Sequence, residues 1–294
     1  MDAGDLRFFE TVARVGGMNR AAAELNTVQS NVTARVRALE EQLGVPLFHR
    51  HSRGVGLTTA GERLLPYAQR ITDLLAEARR AVADDGRPKG ALTIGSLETT
   101  AALRLPPVLA AYAAAYPDVD LVIRTGTTCE LVDRVRERKV EGAFVCGPID
   151  HPDLAEEPVF DEELVLVTAP AVRELGKLMQ RADLKIVVLR VGCSYRQRLE
   201  DILAARGVRG LRQLEFGTID AIVGCVAAGL GVTLLPRGVV EPARRAGRVR
   251  VHELPPDEAR VQTVFVRRRD GFMSSALAAF VDSARPVTAN AAAE

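Results

Sequence analysis

Residues 19–44 read NRAAAELNTVQSNVTARVRALEEQLG, and the large apolar side chains in the second half of this stretch recur at helical spacing. The intervals of four, four, three and four residues place one apolar stripe on an α-helix, formed by Val28, Val32, Val36, Leu39 and Leu43. A helix beginning near Thr27 or Val28 is expected to pack this stripe against Leu6, Phe9 and Ala13. A shorter helix capped by Asn19 precedes it, which gives the spacing of a helix-turn-helix.

The side of the second helix opposite the stripe carries short polar side chains, small residues and arginines. Amides and hydroxyls reach base edges in the major groove, small residues allow close approach, and arginines contact guanine or phosphate. The pattern therefore predicts a recognition helix, whereas the alternative is an ordinary solvated face. The candidate DNA-binding residues in this region are Asn19, Arg20, Thr27, Gln29, Ser30, Asn31, Thr33, Ala34, Arg35 and Arg37.

A glycine-containing loop with basic residues follows, in the stretch LFHRHSRGVGLTTAG (47–61). Such a loop between apolar residues is typical of a β-wing that contacts phosphates or a minor groove. Arg50, His51 and Arg53 are its candidate DNA-binding residues.

A long helical segment is predicted from Thr59 to about Asp84. Its apolar residues alternate at intervals of four and three over almost three heptads, which indicates a dimerising helix. A dimer presents two recognition helices and so predicts an inverted-repeat DNA target. The predicted seam consists of Leu64, Ala68, Ile71, Leu75, Ala78 and Val82.

The segment DDGRPKG (84–90) has the composition of a linker and predicts a domain boundary near residue 88. Beyond it, buried strands such as ALTIGSL (91–97) and KIVVLRVG (185–192) alternate with helical stretches. This alternation predicts βαβ units and an open, mostly parallel sheet, in one domain or two lobes.

The bulk properties exclude several alternatives. The 294 residues carry a net charge of +1, so any nucleic-acid contact must be a local patch. The N-terminus lacks the pattern of an export signal, which favours the cytoplasm. Because P-loop, GxSxG, HExxH and dinucleotide motifs are absent from the sequence, an enzyme is not expected, nor is a cofactor beyond a small-molecule effector.

The motifs AAAELN, VQSNVTARVRALEEQLGVPLFHR and LTTAGERLL together resemble the LysR-type transcriptional regulators. The resemblance covers nearly the whole chain. It implies an N-terminal all-α winged helix-turn-helix with a long linker helix, and a C-terminal α/β effector domain of two lobes that is similar to periplasmic binding proteins. It also implies homodimers or homotetramers, regulation by an inducer, and RNA polymerase as a possible partner.

On this basis we expect a DNA-binding domain at 1–58, a dimerising helix and hinge at 59–90, and an effector domain at 91–294. The first lobe is expected at about 91–163 and 267–285, and the second at about 164–266. The sequence departs from the usual family pattern at Val28, Ser30 and Asn31, where serine, proline and alanine are common, so that the helix cap is expected to shift to Thr27. The stretches GSLETTAALRLP, GAFVCGPIDHPDL and GCSYRQRLE resemble the subgroup of the enteric putrescine-utilisation regulator.

In an open α/β sheet, ligands bind beyond the carboxyl ends of the strands, near helix N-termini. The resemblance implies an effector between the lobes, at turns that match this description. The candidate effector-binding residues are Ser96, Glu98, Thr99, Thr100, Thr127, Thr128, Gly147, Cys193, Ser194, Tyr195, Phe216 and Thr218. The alternative is that each hydroxyl only caps its own helix.

Charge near these turns leaves the ligand class open. Glu98, Glu130 and Asp220 suit an amine, whereas Arg196 and the helix N-termini suit a carboxylate. Cys129, Cys146 and Cys193 fall near the same strand ends and leave a thiol or soft-metal sensor open as an alternative.

Three function classes follow. The leading hypothesis is a sequence-specific transcription regulator whose effector alters DNA binding or bending. The second is a cytosolic small-molecule-binding protein on the same scaffold. The third, an enzyme, lacks a supporting motif in the sequence.

Overall fold

The computed structural model describes residues 1–51, 54–180 and 184–285, and the chain divides into two compact units, Met1–Asp84 and Asp85–Glu294. The first unit contains three helices, a two-stranded antiparallel hairpin and a long helix. In chain order these are α1 (Ala3–Val15), α2 (Met18–Glu24), α3 (Gln29–Leu43), β1 (Phe48–His51), β2 (Gly54–Leu57) and α4 (Thr59–Ala83).

The core of the first unit is built from the centre of the stripe on α3. Val32, Val36 and Leu39 are fully buried and pack in one cluster with Phe9 and Ala68. The ends of the stripe differ from the expectation, because Val28 is 64% exposed and Leu43 is 38% exposed. Both lie at the ends of α3, beyond the reach of α1 and α2, so helical periodicity continues there without a packing partner.

The helix starts also differ from the expectation. Gly17 is the N-cap of α2, and Asn19 lies inside that helix. Val28 is the N-cap of α3, and the hydroxyl of Thr27 instead accepts a hydrogen bond from the Asn31 amide at 3.0 Å. The extended backbone needed at an N-cap is compatible with valine, so a polar residue nearby is a weak guide to the helix start.

The hairpin is held to the rest of the unit at both ends. The Glu40 carboxylate on α3 accepts hydrogen bonds from the backbone N–H groups of Leu47 and Phe48, at 2.7 and 3.2 Å. Thr58, the N-cap of α4, donates its N–H to the Leu47 carbonyl at 2.9 Å and its hydroxyl to the Pro46 carbonyl at 2.7 Å. The orientation of the hairpin relative to α3 is therefore set by the hydrogen bonds of Glu40 and Thr58.

The second unit alternates strands and helices. Its first part contains β3 (Gly90–Leu97), α5 (Glu98–Leu103), α6 (Leu105–Ala115), β4 (Val119–Gly126), α7 (Thr128–Arg136), β5 (Gly142–Cys146), β6 (Leu154–Thr168), α8 (Leu175–Met179) and β7 (Lys185–Leu189). Its second part contains α9 (Ser194–Ala205), β8 (Arg212–Phe216), α10 (Ile219–Ala227), β9 (Thr233–Pro236), α11 (Arg237–Arg245), β10 (Arg250–His252), α12 (Pro256–Ala259), β11 (Arg260–Arg268) and α13 (Ser275–Ala284).

The strand order shows two lobes that share β6. In the first lobe the order is β4-β3-β5-β11-β6, with parallel pairing of β3 to β4 and β5. In the second lobe the end of β6 pairs with β9 and β10, and β7 pairs in parallel with β8. A bridge from Ile186 to Val232 joins β7 to β9.

Two expectations for this unit were wrong in detail. The sheet is mixed rather than mostly parallel, because β11 pairs antiparallel with β5 and β6. Since Thr263–Val266 of β11 pair with β5, the chain returns to the first lobe at about residue 260, not at 267. Alternating strand and helix segments in the sequence predict local βαβ crossovers. Because β6 and β11 are far apart in the chain, their pairing leaves no such local pattern. Among the described residues, no helix is long and apolar enough to span a membrane.

Candidate DNA-binding surface and effector cleft

The N-terminal half of α3 presents a polar surface on the side opposite the core. We call the exposed residues of this surface the recognition face: Gln29, Ser30, Asn31, Ala34 and Arg37. Thr33 is half-buried beside them and accepts a hydrogen bond from the Gln29 amide at 3.2 Å. A face of this kind can enter a major groove because it carries exposed amide, hydroxyl and guanidinium groups and because Ala34 leaves space for a base edge.

The two arginines of α3 differ in their surroundings. Within the described part of the chain, the Arg37 guanidinium makes no hydrogen bond or ion pair, so its donors are free for a base or phosphate. Arg35 instead bonds the buried Asp5 carboxylate at 2.7 Å and lies over the Phe8 ring at 5.6 Å. The Asp5 carboxylate raises the pKa of Arg35. Arg35 therefore takes part in the packing of α3 on α1.

Replacing Arg35 by alanine should lower the denaturant midpoint of the first unit, because the buried Asp5 carboxylate loses its guanidinium partner. Arg35→Lys should recover part of this loss. Chemical denaturation of the full-length protein tests the expectation, and equal stability of Arg35→Ala and the unaltered protein would rule out the packing role.

The remaining predicted DNA-binding residues are placed as follows. Asn19 and Arg20 are exposed on α2, and Arg20 donates to the Gly16 carbonyl at 3.2 Å. Arg50 and His51 lie in β1, at the tip of the hairpin, and Arg53 lies outside the described residues. The backbone arrangement of helix, turn, helix and hairpin is that of a winged helix-turn-helix.

The long helix α4 carries an apolar face that the first unit covers only at its start. Ala68 is buried and Leu64 is partly buried in the core of the unit, so these two predicted seam residues pack within their own chain. Further along, α4 exposes Ile71, Leu75, Ala78 and Val82, with Tyr67 and Leu74 adjoining them on the same face. We call these six residues the α4 stripe. A contiguous exposed apolar stripe of this kind is typical of a helix that packs against another copy.

The second unit contains a cavity of about 90 Å³ between its two lobes. The ends of β3 and β4 approach it from the first lobe, and the ends of β7 and β8 approach it from the second, as expected for a ligand site in an open α/β fold. Its lining residues are Leu97, Glu98, Thr99, Thr125, Gly126, Thr127, Glu130, Leu189, Arg190, Cys193, Tyr195 and Gly217.

Hydroxyl and backbone contacts join the lobes beside this cavity. The Ser194 hydroxyl donates to the Thr128 hydroxyl at 3.0 Å, and the Cys129 N–H donates to the Gly192 carbonyl at 3.5 Å. The Tyr195 hydroxyl is hydrogen-bonded to Thr99, and burial raises the pKa of this phenol. The cleft therefore has two walls that already contact each other through side chains.

Five of the predicted effector-binding residues line the cavity: Glu98, Thr99, Thr127, Cys193 and Tyr195. Among the others, the hydroxyl of Ser96 is fully buried and bonds the Leu97 carbonyl, and Thr218 caps α10. Thr128 and Ser194 face each other across the lobes. Thr100, Gly147 and Phe216 also lie outside the cavity lining. Thr127 caps α7 as well as lining the cavity, so the capping alternative holds for some of these hydroxyls.

The charges at the cleft differ from those expected. Arg196 is largely buried and bonds Glu200, Gln213 and Glu215, so it is not free to bind a carboxylate. Glu130 is held in the capping box of α7, where its carboxylate accepts the Thr127 N–H at 3.0 Å. The arginine that does line the cavity is Arg190, which the sequence did not single out. Its position directly after the buried strand β7 could have marked it as a candidate ligand-binding residue.

Comparison with known proteins decides the family. The model of the LysR substrate-binding domain matches residues 85–289, and the lysR-family bacterial regulatory helix-turn-helix model matches residues 3–62. The HTH-type transcriptional regulator GltR of Bacillus subtilis is 43% identical over 280 residues, which cover 95% of each chain. The regulator YusT of the same organism is 45% identical over 287 residues, covering 98% of this chain and 96% of YusT. The chain belongs to the LysR family of transcriptional regulators.

As a LysR-family protein, the chain is a DNA-binding transcription regulator with a helix-turn-helix domain and an effector-binding domain, and not an enzyme. The crystal structure of full-length CbnR complexed with its target DNA has the same fold, with a TM-score of 0.67, 23% identity, and coverage of 97% of this chain and 99% of CbnR. The comparisons do not support the closer resemblance to the putrescine-utilisation subgroup.

The cysteines of this LysR-family chain give little support to a thiol or metal sensor. Burial raises the pKa of both Cys146 and Cys193, whereas reactive cysteines have a lowered pKa and solvent access. Cys129 is exposed and Cys225 is partly exposed. Within the described ranges, no cluster of three or more histidine, cysteine or acidic residues is arranged to hold a metal ion.

Proposed function

We propose that this regulator binds an inverted-repeat DNA site as a homodimer or homotetramer, and that a small molecule in the cleft between the lobes alters its DNA binding or bending. The recognition face would read base edges, while Arg20 and the hairpin arginines would contact the phosphate backbone of the DNA. The α4 stripe would join two copies. The setting is the cytoplasm, where the target DNA is, with RNA polymerase as a possible further partner.

The observation that carries this proposal is that α3 has a buried apolar side and an exposed polar side. One side of the helix is fully buried through Val32, Val36 and Leu39, which anchors the helix on the core of the first unit. The opposite side presents two amides, a hydroxyl and the Arg37 guanidinium, which has no partner among the described residues, with the small residue Ala34 between them. A helix anchored on the core, with exposed polar groups that keep hydrogen-bonding capacity for a base edge, is what direct readout in the major groove requires.

Selection of bound duplexes from a randomised DNA pool tests the proposal. The full-length protein should enrich an interrupted palindrome. Arg37→Ala should weaken binding to that site by about ten-fold to a hundred-fold and relax the preference at one base pair of each half-site, since an arginine contact to guanine contributes on that scale. Ser30→Ala should have a smaller effect at a neighbouring position.

Arg70→Ala provides the matched control, because Arg70 is an exposed arginine of the same unit that lies on α4, off the recognition face. It should leave the selected motif unchanged. If no motif is enriched, or if Arg37→Ala selects the same motif with the same affinity, α3 does not read DNA sequence as proposed.

The effector role rests on the position of the cleft. The cavity is lined by both lobes, so a ligand bound there would contact both at once and bias the angle between them. The alternative of a small-molecule-binding protein that does not act through DNA would be favoured if ligand bound to the cleft while every randomised duplex was ignored.

A further inference from the structure

Two charged side chains of opposite sign line the cavity and lack a partner among the described residues. Glu98 is half-buried at the end of β3 in the first lobe, and Arg190 follows β7 in the second lobe. The two groups do not form an ion pair with each other. Glu130, which also lines the cavity, is already bonded within the capping box of α7.

The local structure around Arg190 leaves room for its guanidinium at the cavity. Gly217 lies directly beneath it, and a Cβ at this position would come within 2.8 Å of the Arg190 Nη2 atom. Gly217 does not have a positive φ, so its backbone conformation does not itself call for glycine. The absent side chain therefore leaves space for the guanidinium beside the cavity.

The rest of the lining is small and mixed in character. Thr99, 3% exposed, is hydrogen-bonded to Tyr195, and the two form a polar floor, while Leu97 and Leu189 supply apolar surface. A cavity of about 90 Å³ is smaller than the roughly 150 Å³ that holds benzene. Its ligand is therefore small unless the lobes open.

From these observations we propose that the cleft binds a small amino acid, with its carboxylate at Arg190 and its ammonium group at Glu98. A molecule that carries only a carboxylate leaves Glu98 unpaired beside an anion, and a molecule that carries only an amine leaves Arg190 unpaired beside a cation. A zwitterion satisfies both groups and links one lobe to the other. Only the regulatory consequence of this ligand assignment rests on the proposed function, because ligand binding itself is measured in the absence of DNA.

The test uses calorimetric titration of the full-length protein with the twenty L-amino acids, β-alanine and 4-aminobutyrate. The last two vary the separation of the two charges. For each ligand that binds, the matched compounds lacking the amine or the carboxylate are titrated in parallel, for example propionate and ethylamine for alanine. We expect an amino acid to bind at least about ten-fold more tightly than either matched compound, because two charge-assisted hydrogen-bonding sites are satisfied instead of one.

Variants assign the two charges separately. Arg190→Gln should weaken binding of the amino acid by about ten-fold to a hundred-fold. Glu98→Gln should weaken the amino acid similarly, yet bind the carboxylate-only compound as tightly as the unaltered protein or more tightly. Arg209→Gln and Asp118→Asn are matched controls, since both residues are exposed on the same unit, outside the cavity lining, and should change neither affinity.

The same preparation is also assayed for binding to the DNA motif selected as above. If the motif is bound but no amino acid or analogue is, the ligand assignment is wrong while the regulator proposal stands. Equal affinity for an amino acid and its carboxylate-only analogue, or unchanged affinity in both cavity variants, would also overturn the assignment. If amino acids bind as expected but no DNA motif is selected, the ligand assignment holds and the proposed function fails.

Discussion

Gly61→Ala should abolish operator binding by displacing the hairpin and the start of α4. A Cβ at Gly61 would lie 2.2 Å from the Leu47 carbonyl oxygen and 2.8 Å from a methyl carbon of Leu57. The carbonyl cannot easily move away, because it accepts the Thr58 N–H that begins α4. Overpacking against backbone is expected to cost about 3 kcal/mol or more, a large part of the stability of a small unit.

Hydrogen–deuterium exchange of the full-length variant gives the measurement. Faster exchange should be confined to residues 1–84, and the amides of residues 90–285 should remain protected. Gly224→Ala serves as the matched control, since a Cβ there meets nothing within 4 Å and Gly224 lies in the interior of α10. That variant should be neutral or slightly stabilising. Operator binding by Gly61→Ala within two-fold of the unaltered protein would contradict the expectation.

Leu75→Glu should separate the copies of the chain and reduce operator affinity by about a hundred-fold or more. Leu75 is 41% exposed in the middle of the α4 stripe. A carboxylate there would be buried against its counterpart in a dimer, which opposes association. In the proposed dimer each chain would contact one half-site, so loss of the dimer would also remove the gain from binding two half-sites at once. Sedimentation and gel shifts on the selected palindrome measure the two effects.

A matched pair of variants separates this effect from added charge. Ala78 lies on the α4 stripe and Ala76 lies on the opposite side of the same helix, and both are exposed. Ala78→Glu should weaken the dimer, whereas Ala76→Glu, which makes the same chemical change, should not. Equal assembly and equal operator affinity of both variants and of Leu75→Glu would show that the α4 stripe is not the dimer contact.

Most of the structure of the first unit could be predicted from the local spacing of its apolar residues. The spacing of Val32, Val36 and Leu39 predicted both the buried face of α3 and, by exclusion, the recognition face. The same reasoning failed at Val28 and Leu43, since periodicity does not show where the packing partner ends. Nor did it reveal the ion pair between Arg35 and Asp5, because Asp5 is thirty residues away in the chain.

At the cleft, the strand-end rule located the site but not its charges. Glu98, Thr99 and Thr127 were predicted because they directly follow strands or begin helices. The sequence singled out Arg196 for a carboxylate and overlooked Arg190, and only the tertiary structure shows that Arg196 pairs with Glu200 and Glu215 while Arg190 lines the cavity. Charged side chains pair according to their positions in the folded structure, and partners far apart in the chain cannot be recognised from sequence spacing.

The sequence by itself determined the order of the elements, the helix-turn-helix with its wing, the long apolar helix and the alternating α/β unit, whose two lobes were expected only from the family resemblance. These depend on interactions between residues close in the chain, which leave a period of 3.6 or 2 in the side-chain pattern. Only the tertiary structure decided the antiparallel return of β11, the ion pairs of Arg35 and Arg196, and the position of Glu98 and Arg190 at the cavity, without a partner among the described residues. Each of these depends on which distant groups meet, and packing of the whole unit decides that.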